Sequence, residues 1–230
     1  MIGVSWWQWL IISDAGLLTR IGLGTGIFIA LAVWDYRRKG SLATRWREYL
    51  FLLASVAIAV AYGSLSDQIT VTISWEYFYY GKFMLPVLEG HVPPDMAAVR
   101  WQAALVGAKA TWTGGLVLGV AFLLANNPHR KLPQLTYRGL FRLMTWPLIS
   151  VILFGTAIGI AGYLGAFSQR FQDIVRNDLW RPRRFMCTWG IHLGEYVGGI
   201  VGIIFAVYRI RRNRAAESLI RDKEQSAQDA

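Results

Sequence analysis

Cysteine, acidic residues and surface charge are all scarce in this chain. A single cysteine, Cys187, is present, which excludes an intrachain disulfide and any multi-cysteine metal site. Its ordinary reading is a small packed residue. Charged residues make up 17% of the 230 positions, against about a quarter in soluble domains. A chain this poor in charge does not cover a water-facing surface in the usual way. Acidic residues number 14 against 24 basic ones, for a net charge of +10. Such a surplus can mark nucleic-acid binding. Here the basic residues lie between apolar stretches, with no aromatic-interleaved basic patch and no zinc-finger spacing, so no nucleic-acid partner is expected.

Several motifs are missing too. There is no GxxxxGK[ST], no GxSxG, no HExxH and no CxxCH. Nucleotide-driven transport by this chain alone, α/β-hydrolase chemistry, zincin chemistry and c-type haem are not expected on that basis. A b-type haem needs only one or two side-chain ligands and stays open. No internal repeat is visible, and an odd number of spans argues against a two-fold transporter duplication.

Apolar residues are plentiful, at 54% with a mean hydropathy of +0.35. They fall into five long stretches. With the flanking residues that a crossing of about 20 residues requires, these predict spans at about 17–36, 47–65, 105–126, 144–167 and 188–209. The expectation is an all-α integral membrane protein, residues 1–214 forming one five-helix domain and residues 215–230 a polar tail that soon frays. Eleven Trp and ten Tyr suit a protein with two interfaces to mark. The start, MIGVSWWQWLIISD, lacks the basic region and cleavage site of a signal peptide. Its tryptophans read as an interfacial helix.

Basic residues set the orientation. Arg37, Arg38, Lys39, Arg45 and Arg47 follow span one; Arg130, Lys131, Arg138 and Arg142 follow span three; Arg209, Arg211, Arg212 and Arg214 follow span five. The positive-inside rule then places the amino terminus outside and the carboxyl terminus in the cytoplasm, across a bacterial inner membrane. The connection after span four, with Arg170, Arg176, Arg181, Arg183 and Arg184, opposes that reading. Asp35 and Glu48 are read as solvated helix ends beside basic residues.

Between spans two and three, Ile69, Val71, Ile73, Trp75, Tyr77 and Tyr79 alternate with Thr70, Thr72, Ser74, Glu76, Phe78 and Tyr80. Period two in β-branched and aromatic residues predicts a short strand in an ordered outer loop. Asp95 is expected to open the next helix.

Ionisable residues recur at one depth. At about 1.5 Å per residue from the cytoplasmic ends, Glu195 lies roughly 21 Å in, and His192, Lys109 and Arg20 each roughly 25 Å in. Asp67 would lie roughly 30 Å in if its helix ran that far. Charged groups inside a bilayer are costly and mark functional sites. Asp67, Gln68, Glu76, Lys109, His192, Glu195 and Arg20 are therefore the candidate ligand-binding residues, around a polar pocket in the outer half of the membrane. His192 and Glu195, three apart, share a helix face. They can hold a metal or haem, relay a proton, or serve only packing, with Glu195 paired to Lys109 or Arg20 and His192 bonded to a carbonyl. As metal ligands they are half a site, to be completed by Asp67, Glu76 or His91. His129 reads as an exposed turn residue.

Gly190, Gly194, Gly198 and Gly202 recur every four residues, as do the pairs Gly22/Gly26 and Gly155/Gly159. Small residues at that spacing let helices approach closely in lipid, within one bundle, in a homo-oligomer or in a larger membrane complex.

The segment Tyr62–Phe78, with Tyr62-Gly63, Asp67-Gln68, Thr70 and Glu76-Tyr77-Phe78, resembles a family of uncharacterised bacterial multi-pass membrane proteins of planctomycete type. Thr111, Trp112, Gly114 and Gly115, and His192 ahead of Gly198 and Gly199, are similar as well. The resemblance covers about half the chain. It implies the multi-pass architecture and nominates these residues, without a mechanism.

The function expected from these readings is a non-enzymatic one: an accessory subunit or a small-ligand or ion binder. The alternatives are a membrane-embedded enzyme or redox protein working through His192 and Glu195, or a secondary transporter dimerised through its glycine faces.

Overall fold

The computed structural model describes residues 14–82, 95–127, 132–167 and 179–228. The expected amino-terminal interfacial helix, His91, His129 and the arginines at 170 and 176 lie outside these residues. The described chain is helical: α1 Asp14–Lys39, a 3-10 turn Gly40–Leu42, α2 Arg45–Ile73, a π-helical turn Tyr77–Gly81, α3 Met96–Ala125, α4 Tyr137–Leu143, α5 Thr145–Tyr163 and α6 Pro182–Gln228. Four stretches are long and apolar enough to cross a membrane: α2, α3, α4 with α5, and α6. Their large side chains, among them Ile152, Leu153, Ile200 and Ile204, stand exposed, as lipid-facing residues do. The chain divides into two compact units, Met1–Ser64 with Leu105–Gly119, and Leu65–Ala104 with Val120–Ala230.

In the first unit, Asp35 ties the end of α1 to the start of α2. Its carboxylate accepts from the Arg45 amide at 3.0 Å and lies 3.3 Å from Lys39 Nζ. Asp35 is 4% exposed, which corrects the expectation of a solvated end: the short link at Gly40 (φ 55°) folds the next helix start back onto it. α2 and α3 meet at Gly63 and Gly107, where a Cβ on either would strike the other's backbone. Gly22, Gly24 and Gly26 have nothing within 4 Å of their Cβ positions among the described residues.

In the second unit the expected strand is not found. Ile69–Ile73 form the last turns of α2, and the aromatic run that follows is the π-helical turn. No strand occurs among the described residues. Helix satisfies its own backbone, whereas a lone strand leaves N–H and C=O groups without partners. Thr70 and Thr72 hydroxyls bond back to Ser66 O (3.1 Å) and Gln68 O (2.9 Å) inside the helix. Ser74 then ends it, and its Oγ accepts from the Tyr77 amide at 3.3 Å. Asp95 caps α3 as expected, accepting from the Ala97 amide at 3.0 Å.

α5 and α6 run antiparallel through a glycine seam. Cβ atoms added at Gly190, Gly194, Gly198 and Gly202 would strike the backbone at Ile158, Phe154, Ser150 and Pro147 in turn. From the facing helix, a Cβ at Gly162 would strike the Met186 carbonyl just as closely, and one at Gly159 would strike the Ile191 side chain. The anticipated small-residue packing of Gly155 and Gly159 is thus an α5–α6 contact.

α6 is 47 residues long, about 70 Å and more than twice the hydrocarbon thickness. It runs through the segment expected to fray. Arg214 anchors it there. Only 1% exposed, its guanidinium donates to Ala125 O (2.6 Å), Asn127 O (2.9 Å), Leu132 O (3.0 Å) and Pro133 O (2.9 Å). Those carbonyls belong to the end of α3 and its connection to α4. Asn126 holds the same connection, its side chain bonding both N and O of Leu135.

Two outcomes follow for unfolding in mixed micelles. Gly194→Ala forces the seam apart and costs about 1–3 kcal/mol, while Gly24→Ala, with open space around it, costs nothing measurable. Arg214→Met strands four carbonyls and costs at least about 3 kcal/mol, only partly recovered by lysine, which lacks the planar fork.

Candidate functional site

The seam fixes which way α6 faces. Gly190 and Gly194 point at α5, so His192, half a turn on, points away. There it meets the polar end of α2. His192 Nε2 lies 3.7 Å from Asp67 Oδ1, and Nδ1 lies 3.3 Å from Glu195 Oε2. The imidazole thus stands between two carboxylates. Ser66 Oγ donates to Glu195 Oε1 at 2.5 Å. Asp67 and His192 are buried, at 3% and 8% exposure. Among the described residues Nε2 has no hydrogen-bond partner, since 3.7 Å to Asp67 is beyond hydrogen-bond range.

The turn after α2 covers this group. The Tyr77 ring stacks on the imidazole with centroids 5.0 Å apart and planes 16° from parallel, and Phe78 meets it edge-on at 6.0 Å. Lys82 Nζ sits 5.5 Å from the Tyr77 ring centroid. Burial pushes the Lys82 pKa below its usual value, against the opposing pull of the Asp67 and Glu195 carboxylates. Burial, reinforced by nearby negative charge, pushes the Tyr77 phenol up, so it stays neutral.

Glu76 is buried but works elsewhere. Its carboxylate accepts from the Trp180 and Arg181 amides at 2.7 and 3.1 Å. These amides lead into α6, whose amino-terminal end favours a negative charge. The next residue, Pro182, suits a first helical position. Thr188 Oγ1 adds a 3.4 Å bond from α6 to Thr70 O.

Of the seven candidate residues, then, Asp67, His192 and Glu195 come together. Glu76 caps α6. Gln68 faces another way, its Nε2 donating to Arg100 O at 2.8 Å. Lys109 and Arg20 fall in the first unit, where the Arg20 guanidinium lies 6.0 Å from the Trp112 ring centroid. Ser66 and Lys82 were not anticipated. Ser66 could have been found by continuing the helix past Tyr62, which puts it one turn before Thr70.

For a metal centre at His192 and Glu195, His91, one of the residues expected to complete it, lies outside the described residues. Among the described residues no group of three or more His, Cys, Asp and Glu side chains is disposed to hold a metal ion. The reason is geometric: Asp67 and Glu195 approach different nitrogens of the ring, and Glu76 is committed to two amides. Of the seven candidates, Gln68 lines a pocket. An open groove of about 780 Å³ is lined by Gln68, Ile69, Thr72, Ile73, Ile160, Tyr163, Arg184 and Cys187, none of them a cluster residue.

No protein-family model, curated protein or solved structure matches the chain. The site is read from its own chemistry.

Lys82 carries a pH signature. Its folded pKa lies below the ordinary 10.5, so between the two values the unfolded chain binds more protons and stability rises with pH. The gain is complete above 10.5. Lys82→Met should flatten that rise in unfolding midpoints measured across the alkaline range. Ser66→Ala should cost about 1.5–3 kcal/mol, the worth of a hydrogen bond to a charged group.

Proposed function

We propose that this chain is a non-enzymatic, ion-binding protein of the bacterial cytoplasmic membrane, and that the ion is the proton, taken up and released by the Asp67–His192–Glu195 cluster. The observation that carries this reading is a buried imidazole between two carboxylates. With a neutral ring the group holds two negative charges away from water, and each proton bound removes one. Isolated charge is costly in such surroundings, so proton binding is the cheapest neutralisation available. Intramembrane carboxylate and histidine chains recur in proton relays.

The enzyme reading has less support. With His192 and Glu195 as base and acid, a substrate would have to reach a ring already flanked by Asp67, Glu195, Tyr77 and Phe78.

The proposed topology has five crossings. It adds α1, 26 residues long with Leu23, Ile27, Ile29 and Val33 exposed, as the first. The amino terminus is outside and the carboxyl terminus cytoplasmic, by the basic residues after α1 and at the end of the α6 crossing. With nothing among the described residues near Gly22 and Gly26, α1 is favoured as a face for a second copy or a larger complex.

The test is infrared difference spectroscopy of the protein in nanodiscs, stepped from about pH 4 to about pH 9, a range that spans ordinary carboxyl and imidazole titrations. A protonated-carboxyl band should appear in the wild type and be lost in part by Asp67→Asn and in part by Glu195→Gln. Variant spectra that superimpose on the wild type would reduce the cluster to a packing element.

A further inference from the structure

We infer that the groove beside the cluster seats one bilayer phospholipid with an anionic headgroup. The groove's walls, charge and position favour such a lipid independently of the proton cluster. Three helices build it, each with residues one turn apart. α2 contributes Gln68, Ile69, Thr72 and Ile73, the end of α5 contributes Ile160 and Tyr163, and the first turns of α6 contribute Arg184 and Cys187. The isoleucines are apolar wall with little protein over them: Ile69 is 66% and Ile160 54% exposed. Facing lipid, that wall suits an acyl chain, and the groove's volume falls in the range of about 300–1,000 Å³ for small-molecule sites.

The charge is of one sign. No lining residue is acidic. Arg184 is exposed at the start of α6, with Arg181 and Arg183 exposed beside it. A second guanidinium stands behind the α2 wall, where Arg100 Nη2 donates to Thr72 Oγ1 at 3.1 Å. Among the described residues no carboxylate pairs with Arg181, Arg183 or Arg184, and Glu76 beside them is occupied by two backbone amides. Basic pockets between membrane helices recognise anionic headgroups in this manner, and the Tyr163 phenol is an interfacial side chain beside such a headgroup.

The test is native mass spectrometry of the full chain in a neutral maltoside detergent, titrated with phosphatidylglycerol, phosphatidylcholine or inorganic phosphate. One phosphatidylglycerol should be retained per chain, at least about tenfold more tightly than phosphatidylcholine, the worth of a charge-assisted contact. Arg184→Gln should lose that preference and Arg184→Lys keep most of it. Ile160→Trp, which fills the groove from a lipid-facing position, should lower retention of both lipids. Arg212→Gln, the same charge change outside the groove, should leave binding unaltered. Three results would each overturn the proposal: equal retention of the two lipids, equal losses in Arg184→Gln and Arg212→Gln, or displacement of the lipid by inorganic phosphate alone.

Discussion

The second unit depends on how closely α5 and α6 approach. Where Gly190, Gly194, Gly198 and Gly202 stand, any side chain would collide with the backbone opposite. In lipid no hydrophobic force drives helices together, so such a contact rests on packing and on freedom from side chains. Its consequence is rotational. Once the glycines face α5, Thr188 and His192 must face α2, and Glu195 sits at the edge where it reaches both Ser66 and the imidazole. The polar cluster is a product of the seam as much as of its own residues.

Polar contacts then hold α6 at both ends. Near its start, Glu76 accepts from the Trp180 and Arg181 amides. Toward its far end, Arg214 fills a cage of four carbonyls. These are charges used as fixtures, each satisfied by backbone. His192 differs, because its neighbours are ionisable and, among the described residues, Nε2 has no hydrogen-bond partner. That contrast separates the cluster from the structural charges around it.

Much of this was legible in the sequence. Apolar length located the four crossing helices, Asp95 capped α3 as its type predicts, and three-residue spacing put His192 and Glu195 on one face. Depth counting brought Asp67 into the same layer. It also brought in Lys109 and Arg20, because depth says nothing about direction around a helix. The alternation from Ile69 to Tyr80 misled for a related reason. β-branched residues suit a pleated surface, but with no partner strand the backbone is satisfied only by helix. Asp35 and Arg214 were read as solvated or topological charges. Each is buried because its partners come from residues beyond the local window: the Arg45 amide in one case, and carbonyls over eighty positions away in the other. Glycine spacing alone did not separate the packed repeat on α6 from Gly22 and Gly26, which have open surroundings.

The central claim is that one imidazole stands between two carboxylates, each addressing its own ring nitrogen. Nitrogen NMR of ¹⁵N-histidine-labelled protein tests it most directly, and the chain's three histidines keep the spectrum simple. Asp67→Asn should move the Nε2 resonance of His192, and Glu195→Gln should move Nδ1. If both variants leave both resonances where they were, the carboxylates do not flank the ring and the account of the cluster is wrong.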